Sequence, residues 1–276
     1  VSNDGRTREQ IEEHYRIERE LADRLRRASR EERRKLYAVV YDELLNRVAH
    51  HPMLTRKASP EESALAAVRQ MNLLRQFLSP DKVFLEVGPG DCALSFAVCP
   101  HVKKVYAVEV SATISSAHQV PDNFELILSD GCSIPLPEHS VDVVYSNQLM
   151  EHLHPEDALE QLRAIHRVLR PGGVYICLTP NGLTGPHDIS YGFDDEPTGF
   201  HLKEYTAGEL AELFRSVGFR DVQAVLAVRH RYVVLSVGLY RLLELIVALT
   251  PRSIRSARKY QVPFRLFQDL RLVGVR

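Results

Sequence analysis
Apolar residues recur near helical spacing through the first fifty positions, then give way to short unbroken runs from residue 83 onward. Ile11, Tyr15, Ile17, Leu21 and Leu25 mark one apolar stripe, and Leu36, Val39, Val40 and Leu44 resume it after a charged patch. The pattern, dense in Arg, Glu and Leu, predicts two helices or one long bent helix, broken at His51-Pro52. The Arg/Glu run reads first as a solvated helix face. Ser59-Pro60-Glu61-Glu62 combines an N-cap serine, a first-turn proline and early acids, so it starts a further helix running to about Leu78.

From Val83 the period changes. The run Val83 to Glu86 is β-prone, Gly88, Pro89 and Gly90 make a turn, and Ala93 to Val98 reads as helix. Val105 to Glu109, Leu126 to Asp130, Val141 to Asn147 and Val174 to Leu178 read as four more strands. Between the last two lies an amphipathic helix, Pro155 to Leu169, with acids first and bases last, as the helix dipole favours. Thr206 and Glu209 form a capping box for another helix, which Gly218 closes. This alternation predicts a parallel sheet covered on both faces. Asp221 to Val228 and Leu270 to Arg276 suit two closing strands, separated by a long insert. Val233 to Leu249 in that insert is apolar but interrupted by Arg241 and Glu244, too short and too charged to span a bilayer. It reads as a helix packed on the core or on a partner subunit. With Arg252, Arg255, Arg258, Lys259 and Arg265 behind it, the sharper reading is an amphipathic element that meets a lipid or a long apolar substrate.

Composition narrows the class. The chain has 276 residues, 45% of them hydrophobic, enough for one large domain with a helical cap. Lys and Arg number 35 against 36 Asp and Glu, which argues against a general nucleic-acid binder. Cys92, Cys99, Cys132 and Cys177 have no zinc spacing and no CxxC pair, and read as small buried hydrophobes in a reducing cytoplasm. No signal peptide opens the sequence, and Val1 in place of Met suggests trimming.

The candidate chemistry lies at strand ends. Glycines at 88 and 90 let backbone approach a ligand where a Cβ would collide, and the exposed amides of a helix start favour electron-rich groups. Glu109 closes a strand about twenty residues on, where an acid in doubly wound sheets accepts from ribose hydroxyls. Taken together, Glu86-x-Gly88-x-Gly90, Glu109, Asp130, Asn147 and Arg170-Pro-Gly-Gly173 resemble, in order and spacing, the class I S-adenosylmethionine-dependent methyltransferases, of the type 11-like kind. The resemblance spans roughly residues 60 to 230, with Cys92 where a third glycine often stands.

That resemblance implies an α/β fold: a Rossmann-like doubly wound sheet of seven strands, parallel but for one antiparallel strand. The chain then divides into an N-terminal helical cap (1–58), the cofactor-binding core (59–230), a helical insert (231–268) and the last strand (269–276). It also implies S-adenosylmethionine as cofactor and S-adenosylhomocysteine as product. Gly88, Pro89 and Gly90 pass close to the cofactor and Glu86 lies near its ammonium. Glu109 and Val110 adjoin the ribose, Asp130, Gly131 and Cys132 the adenine, and Asn147 the methyl group. N-terminal helices in this family commonly form one side of the substrate cleft, which makes the cap a lid. For a base, His152, His187 and His201 are candidates, with His154, Tyr191 and Tyr205 as substrate contacts. Asp194, Asp195 and Glu196 lie in the long loop after the fifth strand, but no tight ligand spacing supports a metal. The expected reaction is methylation of an oxygen on a sugar or secondary metabolite. A lipid or quinone acceptor at a membrane surface, and a scaffold or non-methyl chemistry on the same cofactor, stay open. So do peripheral membrane contact and a homodimer; nucleic acid is not expected as a partner.

Overall fold
The computed structural model describes residues 5–55, 59–110, 120–228, 231–251, 254 and 261–276. Its centre is a mixed sheet of eight strands: β1 (Val83–Val87), β2 (Lys104–Glu109), β3 (Phe124–Leu128), β4 (Val141–Asn147), β5 (Leu169–Pro180), β6 (Arg220–Val228), β7 (Arg231–Ser236) and β8 (Asp269–Val275). Their spatial order is β3-β2-β1-β4-β5-β8-β6-β7. Strands β1 to β5 pair in parallel, β8 runs antiparallel to both β5 and β6, and β7 runs antiparallel to β6. Every residue of β1 is buried, as expected of a parallel strand covered on both faces. Alternate residues face opposite layers. Phe84, Val143, Tyr145 and Ile176 pack with α5 (Pro60–Leu74) and α6 (Ala93–Val98), whereas Leu85, Val144, Tyr175 and Cys177 join the layer of α7 (Pro155–Val168) and α8 (Ala207–Ser216).

Two sequence expectations change. The sheet has eight strands rather than seven, two of them antiparallel, because Arg231–Ser236 hydrogen-bonds along β6 before any helix begins. The helix of the insert, α9, covers only Val237–Ala248, capped by the Ser236 side chain. Glu244 does not interrupt its packing face. It is buried there, accepting hydrogen bonds from Asn181 Nδ2 at 2.9 Å and from the Ala207 amide at the start of α8 at 3.2 Å. Arg252, Arg255, Arg258 and Lys259 lie outside the described residues. No helix among the described residues is long and apolar enough to cross a membrane.

The N-terminal segment forms four helices: α1 (Arg8–Arg27), α2 (Arg30–Tyr37), α3 (Val40–Arg47) and the single turn α4 (Pro52–Thr55). The break after α1 comes from Ser29 and Glu32, a capping box inside the charged run. The charged run is not all solvated either. Arg33 is buried and donates from Nε and Nη2 to the Asp157 carboxylate of α7, at 2.5 and 3.0 Å. Tyr37 donates to the same carboxylate at 2.7 Å, and Arg34 pairs with Glu160 at 2.7 Å. These contacts clamp the cap over the carboxyl ends of β1 and β4.

Candidate functional site
Strand order reverses between β1 and β4, and the crevice beyond such a reversal is where open α/β sheets place ligands. A cavity of about 480 Å³ opens there, between the sheet edge and the cap. Gly88 (φ +72°) and Gly90 (φ +56°) form its floor. A Cβ on Gly88 would press on the Leu149 side chain at 3.2 Å, whereas one on Gly90 would meet no atom within 4 Å. Cys92, in the third position of the turn, is buried at φ +60° as the N-cap residue of α6, so its side chain tolerates a conformation that glycine adopts freely. Glu109, Val110 and Gly131 line the same cavity.

The three acids differ in circumstance. Glu86 is buried beneath the turn and accepts from Ser95 Oγ at 2.5 Å; burial pushes its carboxyl up to about 8, and Ser95 offsets this only in part. Glu109 faces the cavity, one oxygen accepting from the Val110 amide at 2.7 Å. Asp130 organises its own loop, accepting from the amides of Cys132 (3.0 Å) and Ser133 (2.7 Å) and from Ser133 Oγ (3.0 Å). Burial alone would raise the Asp130 carboxyl; those donors and Arg34 outweigh it and hold it low.

Among the cavity residues outside the sequence motifs are two glutamines. Gln148 follows β4 at φ +54°. Gln161, on α7, is buried and donates to Gly131 O at 2.6 Å, while its Oε1 lacks a hydrogen-bond partner. Of the expected cofactor contacts, Glu86, Pro89, Asp130, Cys132 and Asn147 do not line the cavity.

The histidines divide. His152 lines the cavity wall with Tyr41 and Phe200, and its Nδ1 meets Phe200 O at 3.1 Å and Tyr41 Oη at 3.0 Å. Burial, then the neighbouring His201, hold it down at about 4. His201 and His187 face a second pocket of about 320 Å³, which shares Tyr41, His152 and Phe200 with the first. Burial would lower His201, but its 2.7 Å hydrogen bond to Glu204, with Glu151 and Asp188 nearby, raises it overall. His187 packs on Thr184 Oγ1 at 3.1 Å. His154 caps α7 instead, its Nδ1 accepting from the Glu156 amide at 3.3 Å. Tyr191 is exposed on the loop after β5, and Tyr205 is buried below it; neither reaches either cavity.

Residues 85–177 match the methyltransferase domain family, over the stretch that carries β1, the glycine turn and β5. The chain carries an S-adenosylmethionine-dependent methyltransferase domain. Over 147 residues it is 33% identical to a protein of Mycolicibacterium smegmatis described as a probable S-adenosylmethionine-dependent methyltransferase, covering 53% of this chain and 54% of that one. The tRNA N(3)-cytidine methyltransferase METTL2 of Danio rerio is 29% identical over 162 residues, 50% of this chain and 45% of its own. The chain thus spans about half the length of the curated relatives it matches. Among solved structures, the 1,6-didemethyltoxoflavin-N1-methyltransferase of Burkholderia thailandensis superposes with a TM-score of 0.55 at 16% identity, over 90% of this chain and 91% of that one. At that identity the likeness shows the fold alone.

Proposed function
We propose that the chain transfers the methyl group of S-adenosylmethionine to an oxygen of a small molecule held between the cap and the sheet. One observation carries this reading: a single cavity runs from the glycine turn, Glu109 and Gly131 at one end to Tyr41, His152 and Phe200 at the other. The residues fit the cofactor. Gly90 leaves room that a side chain would fill, Glu86 supplies a buried acid for an ammonium, and Glu109 offers acceptors for ribose hydroxyls. Gln161 Oε1, unpartnered at the cavity wall, is an acceptor suited to the adenine amine beside the Asp130 loop. Asn147 closes β4 toward the reacting end. The bound cofactor supplies an already activated methyl group, so the protein's task is to orient the acceptor and exclude water. Leu25, Val40, Met53 and Leu153 make the acceptor end apolar, which favours a metabolite with an apolar skeleton over a bare sugar. In this reading His152, on the wall of that cavity, takes the hydroxyl proton, and His187 and His201, which face the second pocket, are the alternative candidates.

A second reading has its own support. α9 turns Leu239, Leu242, Leu245, Ile246 and Leu249 outward, all strongly exposed, beside Val233 and Val234 of β7. Such a face suits a lipophilic acceptor delivered from a membrane surface. Isothermal titration with S-adenosylhomocysteine tests the common part: absence of binding removes both readings. Flotation with liposomes separates them. Mass spectrometry of turned-over acceptor should show the gain of one methyl group, and free methylthioadenosine instead would indicate different chemistry on the same cofactor.

A further inference from the structure
We infer that Glu151, His152 and His201 form a binding site for one divalent first-row transition-metal ion, placed to hold the acceptor hydroxyl beside the cofactor cavity. One donor atom from each of the three lies within 4.8 Å of the others, and Glu151 Oε1 stands 3.9 Å from His152 Nε2. Ligands at about 2.1 Å from a shared ion stand roughly 3–4 Å apart, so a contraction of under about 1 Å closes the set.

The surroundings engage one donor atom of each residue and leave the other for an ion. His201 Nδ1 is bonded to Glu204 Oε1 at 2.7 Å, so it carries the hydrogen and leaves Nε2 as an acceptor. His152 Nδ1 lies 3.1 Å from the Phe200 carbonyl, which can only accept, and 3.0 Å from Tyr41 Oη, which can do either; a hydrogen on Nδ1 satisfies the carbonyl and leaves Nε2 for the ion. Imidazoles anchored through Nδ1 by a carboxylate or a carbonyl are the usual supports of metal-ligating histidines. Glu151 is fully buried; Oε2 accepts from Thr179 Oγ1 at 2.9 Å, and Oε1 has no hydrogen-bond partner. Three acceptors therefore converge. A single water has two hydrogens and leaves one of them unserved, whereas a cation serves all three. Two imidazoles and one carboxylate select Zn²⁺, Fe²⁺, Co²⁺ or Mn²⁺ over Mg²⁺ or Ca²⁺. The neighbouring cluster of His14, Glu18 and His51 is a poorer site, because Arg6 and Glu18 engage both nitrogens of His14, and the Phe200 amide takes the other Glu18 oxygen.

The ion's role, though not its binding, rests on the methyl-transfer reading. With the ion bound, His152 is a ligand and the ion takes over its part as base: the acceptor R–OH binds through oxygen at an open coordination position and releases its proton to solvent through the second pocket. The oxygen lone pair then forms the O–C bond while the C–S bond breaks and its electron pair stays on sulfur. The ion changes no oxidation state.

Titration of the full chain with Co²⁺ tests the site. We expect one equivalent with visible ligand-field absorption, perturbed when catechol is added. Glu151→Gln and His201→Ala should each abolish that spectrum while S-adenosylhomocysteine still binds, which shows the variants folded. Glu204→Gln should weaken Co²⁺ by about 10–100-fold, and His51→Ala should leave stoichiometry and spectrum unchanged. No Co²⁺ binding, binding indifferent to Glu151→Gln and His201→Ala, or loss with His51→Ala would overturn the site. A spectrum indifferent to catechol would overturn the role. Failure of wild-type protein to bind S-adenosylhomocysteine would count against methyl transfer, and the Co²⁺ spectrum would still judge the site.

Discussion
Glu86 lies under the glycine turn as an acid that burial keeps largely protonated near neutrality, with Ser95 as its hydrogen-bond donor. Its carboxyl is raised in the fold, so its stabilising contribution is present at low pH and fades as pH rises through about 8. A ligand ammonium reverses the preference. S-adenosylhomocysteine should therefore bind more tightly as pH rises toward 8, by at most about tenfold per unit, and Glu86→Gln should flatten that profile in calorimetric titrations. Gly90→Val should abolish binding, since it puts a branched side chain at a cavity-lining position of positive φ; unchanged affinity would show that the turn holds something else. Glu109→Ala should weaken binding by about 1–3 kcal/mol, the scale for deleting a charged hydrogen-bond partner. The glycines and Glu109 were legible because strand ends and spacing define them. Gln161 was not, since a buried amide on a helix face shows no pattern, and Glu151 with His201 was not, since the fold joins them across roughly fifty residues.

The cap and the insert show where element reading stops. Helical periodicity located the N-terminal helices but left two helices or one long bent helix open, because the Ser29–Glu32 box that separates α1 from α2 is camouflaged by surrounding charges. It also could not show that Arg33 turns inward, as a solvated and a docked arginine look alike in sequence. Arg33→Ala leaves Asp157 buried beside Tyr37 without its cation, and should destabilise by about 3–5 kcal/mol in urea unfolding. Arg33→Met with Asp157→Leu should recover most of that loss. In the insert, Val233 to Leu249 is largely apolar on both sides of Ser236, so no change of period marks where β7 ends and α9 begins; hydrogen bonding to β6 decides it.

At the scale of the molecule, the alternation of strands and helices carried the fold class, and the order of strands then placed the crevice between β1 and β4. What the sheet alone does not set is the roof, which α1 to α4 provide. Tyr37 belongs to both. Its ring lines the ligand cavity, and its hydroxyl joins the Asp157 carboxylate to the His154 amide. Occupancy and anchorage of the N-terminal helices are thereby linked. At a hundredfold excess over its dissociation constant, S-adenosylhomocysteine should add about 2.7 kcal/mol, and limited trypsin digestion, which would attack the arginine-rich leading helices first, should slow in proportion.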